Sequence, residues 1–146
     1  MKVAVTGTRR GLTRQQRHAL QDAMLLLIER PNGRELELHH GDCKGADADA
    51  HEVVHAMLWP RIEAHPCTIE SMRAYCKGAD IVHAPLPPLK RNHIMVDLCE
   101  LLIAMPGGMK EEQRSGTWST YRYAKKNHVD RLTIFPDGSA KLEKGA

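Results

Sequence analysis

The sequence predicts an α/β protein, a mostly parallel sheet of about five strands with helices packed on both faces. Three observations carry this. Short apolar runs alternate with stretches of helical periodicity, the pattern of strand–helix–strand units. The runs end in glycine-containing loops that lead towards the next helix. The 146 residues, 42% hydrophobic and 27% charged, suit one domain, 1–146, with a substantial core.

KVAVT (Lys2 to Thr6) reads as a buried strand that ends at Gly7. A helix follows, because Leu20, Ala23, Met24, Leu27 and Ile28 recur on one face. Thr13 and Gln16 have capping-box spacing at its start, and Pro31-Asn32-Gly33 ends it. Glu35 to Gly41 reads as the second strand. The next helix shows Ala46, Ala50, Val53, Val54 and Met57 on one side and closes at Trp59-Pro60. Arg61 to Pro66 is the third strand, and residues 67 to 90 form an irregular loop. RNHIMVDLCE predicts a short helix with Ile94, Leu98 and Leu101 on one side. Leu101 to Met105 is the fourth strand, Gly116 opens the last helix, and Arg131 to Phe135 is the fifth strand. Asp137-Gly138 is a turn, and the tail KLEKGA is expected to fray.

Bulk properties exclude several classes. No apolar run approaches the about 18 residues of a membrane span. MKVAVTGTRRG has a short apolar run followed by Arg9 and Arg10, so no signal peptide is expected and the expected compartment is the cytoplasm. None of the four cysteines forms a C-x-x-C pair, which favours reduced thiols. A net charge of +3 is too mild to argue for nucleic acid.

In a parallel sheet, ligands bind at the carboxyl ends of the strands, so the loops there hold the chemistry. Thr6 to Gly11 offers Gly7 for a tight turn and Thr8, Arg9 and Arg10 as hydroxyl and guanidinium donors. In HHGDCKGAD, Gly41 and Gly45 flank Lys44, and a helix starts nearby. After the fourth strand, Gly107 and Gly108 are followed by Ser115, Gly116 and Thr117 at the start of the last helix. Helix N-termini present free N–H groups and suit anions. Arg91 and Asn92 stand where an arginine can reach the sheet edge and grip a phosphate. Asp47 suits a ribose hydroxyl better than a phosphate, and simple capping explains it equally well. Together these residues predict a phosphate- or nucleotide-like ligand.

TGTRRGLT, HGDCKGADADA, HP at His65-Pro66, RNHIMVD and IAMPGG…RSGTW occur in an order that resembles the SLOG superfamily. That group includes LOG-type phosphoribohydrolases and the DNA-processing protein DprA, and the chain looks most like its small YspA-like bacterial and phage members. The resemblance implies a Rossmann-like three-layer sandwich that binds a nucleotide derivative, often as a homo-oligomer. It also matches Arg91 to the family's phosphate-gripping arginine. In the LOG-type motif PGGxGTxxE, Gly107-Gly108 and Gly116-Thr117 match the two halves. Here MKEEQRS separates the halves, and Thr120 stands at the position of the catalytic glutamate. The catalytic candidates are therefore Arg91, with Glu111 or Glu112 as a borrowed carboxylate.

His51-Glu52-Val53-Val54-His55 reads as H-E-x-x-H, which on a helix places two histidines for zinc and a glutamate as base. Glu63, His65 and Glu70 are the possible third ligands, and sheet packing explains the helix without a metal. The remaining histidines show no metal spacing. Cys43 reads as loop filler or as a thiol activated by a helix N-terminus. Trp118 and Tyr121 read as core or oligomer contacts. The sequence therefore predicts a nucleotide-binding sensor or sequestering protein without a cofactor, and a small molecule and its own copies as partners. A phosphoribohydrolase is the runner-up, and a zinc hydrolase or a DprA-like DNA binder is less favoured.

Overall fold

The computed structural model describes residues 1–146. Strands β1 (Lys2–Gly7), β2 (Glu37–His40), β3 (Arg61–Ala64), β4 (Ile81–Val82), β5 (Leu101–Met105), β6 (Asp130–Ile134) and β7 (Ala140–Glu143) form one sheet. Its order is β4-β3-β2-β1-β5-β6-β7. Only β7 runs antiparallel. Helices α1 (Arg14–Ile28), α2 (Ala46–His55), α3 (Pro88–Leu98) and α4 (Gly116–Lys126) complete a Rossmann-like arrangement. No helix is long and apolar enough to cross a membrane.

Alternation along the strands sorts the side chains. Val3, Val5, Leu38, Ile62, Ile103 and Met105 face α1 and α2 and pack on Leu20, Met24, Ala50 and Val54. Each large member, fully withdrawn from water, stabilises the fold by about 2–3 kcal/mol. On the other face Ala4 and Leu102 meet Met95 and Val96 of α3 and Ala124 of α4. Ala104 meets Trp118 and Tyr121, which join the core.

The capping box is present. The Thr13 side chain accepts from Gln16 N–H, and the Gln16 side chain accepts from Thr13 N–H, both at 3.0 Å. Gln16 is buried, and its Nε2 donates to Pro106 O at 2.8 Å and Ile134 O at 3.0 Å. One capping residue thus ties the start of α1 to the ends of β5 and β6.

The sheet has seven strands rather than about five. β4 spans two residues, too short for any periodicity to register. β7 lies in the tail that was expected to fray. Its side chains are mostly exposed because it is an edge strand held by pairing with β6. α3 begins at Pro88, whose fixed φ suits a first helical position, three residues before the predicted start. Its buried residues are Arg91, Met95 and Val96. Leu98 stays 42% exposed and Leu101 belongs to β5, so the apolar side predicted for this helix is not the one buried.

Candidate functional site

β1 pairs with β2 on one side and β5 on the other, so the chain reverses its direction of travel across the sheet at β1. A crevice opens at such a reversal, outside the carboxyl ends of the strands. Here it is a cleft of about 430 Å³. Gly7, Thr8 and Arg9 line it from the β1 loop, and Gly41 and Asp47 from the β2 side. Arg91 and Asn92 enter from α3, and Gly107, Ser115, Gly116 and Thr117 from the β5 loop and α4. Lys44, Gly45 and Gly108 do not line it.

Arg10, Cys43, Met72, Arg114 and Trp118 also line the cleft and were absent from the predicted ligand-binding set. Arg10 is one of the guanidinium donors of the first loop, and Arg114 precedes Ser115, so adjacency to a predicted residue was the available signal for Arg114. Met72 arrives from the irregular 67–80 segment and has no local signature. Asp42 places that segment: its carboxylate accepts from Arg73 Nε at 3.0 Å and Cys76 N–H at 2.8 Å.

The loop 41–45 is closed on itself. Asp47 Oδ2 accepts from Gly41 N–H at 3.1 Å and Cys43 N–H at 3.2 Å. Lys44 N–H donates to Met72 O at 3.0 Å, and the Lys44 side chain is exposed. Ala46 N–H donates to Thr8 O at 2.9 Å. Gly45, at φ 95°, lies against the backbone of Thr8 and Arg9, where any Cβ would collide. Burial pushes the Asp47 carboxyl up to about 6, against the pull of Arg91 and of the two N–H groups. Burial and then Asp47 push the Cys43 thiol up, so the fold disfavours the activated thiolate that a helix N-terminus suggested.

Arg91 is a buried strap. Its Nη1 donates to Gly41 O and to His65 O at 2.8 Å, and its Nε to Asn92 Oδ1 at 2.7 Å. Nη2 approaches Cys43 Sγ at 3.4 Å on the cleft side. Gly41 has no Cβ because one would meet this guanidinium at 2.5 Å.

The α4 end is open. Ser115 Oγ accepts from Trp118 N–H at 3.3 Å, and the Gly116 and Thr117 N–H groups have no partner in the chain. Thr120 is buried, and its hydroxyl donates to Gly116 O at 2.9 Å, so it turns into its own helix. Glu111 is held outside by Arg122 at 2.8 Å, and Arg122 also bonds the carbonyls of Glu112 and Gln113. Glu112 lines the cleft.

The H-E-x-x-H side chains are engaged with separate partners. Asp42 N–H donates to His40 Nδ1 at 2.9 Å, so His40 Nε2 carries its proton and donates to His51 Nδ1 at 2.9 Å. His51 Nε2 then donates to Lys77 O at 2.7 Å, which occupies both of its nitrogens. His55 only stacks on His51, at 5.6 Å between ring centres, and Glu52 pairs with Arg17 at 3.4 Å. Burial, then His51, lowers His40 to about 3, consistent with a neutral relay.

No protein-family model matches the chain, and neither does any curated protein. Solved structures do share its fold. The molybdenum cofactor binding protein from the phototrophic bacterium Rippkaea orientalis superposes with a TM-score of 0.66 at 17% identity, covering 92% of this chain and 76% of that one. The structural-genomics target TM1055 superposes with a TM-score of 0.63 at 12% identity, covering 89% and 71%. At these identities the likeness is one of fold, a Rossmann-like sheet.

Proposed function

We propose that the cleft binds a phosphorylated, nucleotide-derived small molecule and retains it intact, as a sensor or sequestering protein. The observation that carries this reading is the charge of the cleft. Arg9, Arg10, Arg91 and Arg114 line it together with the unpartnered N–H groups of Gly116 and Thr117. Guanidinium groups and a helix N-terminus are suited to phosphate oxygens. Of the two carboxylates that line the cleft, Asp47 is engaged by backbone N–H groups. A fold shared with a protein described as binding the molybdenum cofactor supports a role in holding a small molecule.

A LOG-like phosphoribohydrolase is the second reading, favoured by Glu112 alone. Thr120 opposes it: its hydroxyl is turned into the helix, and a threonine brings no charge to stabilise a sugar cation. The test is mass spectrometry of a nucleotide panel incubated with purified protein, reading filtrate and bound fraction. An intact nucleotide on the protein supports the binder. Free base with ribose 5-phosphate overturns it in favour of the hydrolase, and no retention and no turnover overturns both.

A further inference from the structure

We propose that His39, Glu63 and His65 form a binding site for a first-row divalent metal ion of the Zn²⁺ type. The site lies apart from the relay at His40 and His51, on the opposite face of the sheet. β2 and β3 are parallel neighbours with His39 in register with Glu63. His65 lies two residues beyond Glu63, so alternation returns it to the same face. One ligand-capable atom from each of the three lies within 4.8 Å of the others.

The hydrogen bonds orient the histidines for a cation. His39 Nε2 lies 3.1 Å from Glu37 Oε1. A carboxylate accepts there, so Nε2 carries the proton and Nδ1 presents its lone pair inwards. This carboxylate–imidazole arrangement commonly sets the tautomer of a metal-bound histidine. His65 Nε2 faces that lone pair at 2.9 Å. Without metal its own proton fills the gap. A metal ion takes the place of that proton once it moves to His65 Nδ1. Two nitrogens on tetrahedral zinc stand about 3.3 Å apart, so the rings must separate by a few tenths of an ångström and tilt until both lone pairs converge on the ion.

Glu63 supplies the negative charge. His83 Nε2 lies 2.7 Å from Glu63 Oε1. Two imidazoles and one carboxylate form a donor set that zinc and ferrous sites both use. A cavity of about 290 Å³ is lined by His65 and by His83, the partner of Glu63. The other cluster, His40, His51 and Cys76, also has its ligand-capable atoms close together. There His40 Nε2 must keep its proton because Nδ1 accepts from Asp42, so that cluster serves as the internal control.

The test uses the full chain without a histidine tag, stripped with chelator and titrated with Zn²⁺. Metal per chain is read by elemental mass spectrometry, and affinity by calorimetry. One equivalent per chain is expected. Glu63→Gln, which keeps shape, and His65→Gln should each weaken binding by about tenfold or more, and Glu37→Gln by about tenfold. His51→Gln should leave it unchanged. Should His65→Gln not fold, Glu63→Gln and the Co²⁺ spectrum of the wild type decide. Intense visible bands of four-coordinate cobalt are expected. Absence of retained metal, wild-type affinity in Glu63→Gln, loss in His51→Gln, or a weak octahedral cobalt spectrum would each overturn the assignment.

Discussion

The loops 41–45 and 107–116 look alike in sequence and differ in what their backbones do. Both set glycines between a strand and a helix, and both border the cleft. In the first, Asp47 takes two N–H groups, Met72 takes a third, and the N–H of Ala46 goes to Thr8. In the second, Gly116 and Thr117 keep their N–H groups free. A short carboxylate in the first turn of the following helix, reaching back over the loop, is the difference: it makes one loop a structural knot and leaves the other a donor surface. Glycine spacing alone does not separate a phosphate cradle from a turn that is closed on itself.

Substitutions can break this contrast. The largest effect is expected at Gly45. Gly45→Ala demands a left-handed backbone and drives a Cβ into Thr8 and Arg9, at a cost of about 2–5 kcal/mol in a urea denaturation series. A loss under about 1 kcal/mol would mean the loop is not closed as described.

Asp47 comes next, through pH. Its folded value of about 6 lies above the ordinary 3.8, so the native state holds the proton more tightly than the unfolded chain. This group's stabilising contribution is full below about pH 4 and falls as pH rises through about 6, by up to about 3 kcal/mol. Asp47→Asn should flatten that part of the stability–pH curve, and an unchanged curve would assign the slope to other groups.

The open loop and the arginines of the cleft are expected to affect ligand more than fold. Arg10→Ala, at an exposed position, should weaken the retained nucleotide about tenfold, with a shallower dependence on salt. Arg10 suits this test better than Arg91, whose removal would also unpair the carbonyls of Gly41 and His65. Equal affinity in Arg10→Ala would move the anion away from this wall. Gly116→Ala meets nothing within 4 Å and should change stability by less than about 1 kcal/mol, in the favourable direction. The smallest effect is expected for Glu111→Gln, which removes one exposed pair with Arg122: about 0–1 kcal/mol and no change in nucleotide retention.

Much of the fold could be read from local pattern. The Thr13–Gln16 box, the stripe of α1 and the run Leu101–Met105 each signal within a few residues, and the structure places them as read. What escaped depends on distant partners. β7 is a strand because β6 is beside it, and Asp42 holds a loop whose partners lie more than thirty residues away. His39 and His65 are 26 positions apart yet 2.9 Å in space, since one lies in β2 and the other directly follows its neighbour β3. No spacing rule written for one helix finds such a pair. The cleft itself was legible because its residues sit at strand ends, whose location follows from the α/β pattern. The roles of Asp47 and Arg91 were not legible, because they depend on which backbone groups each side chain meets.

The two borders of the sheet bear on how copies of this chain would meet. On one side β4 offers two residues, and on the other β7 carries Lys141 and Glu143, with Glu143 drawn to Tyr121 at 2.6 Å. A short rim and a charged one make poor templates for a further strand. Edge-to-edge stacking of such sheets into fibrils is disfavoured at both rims.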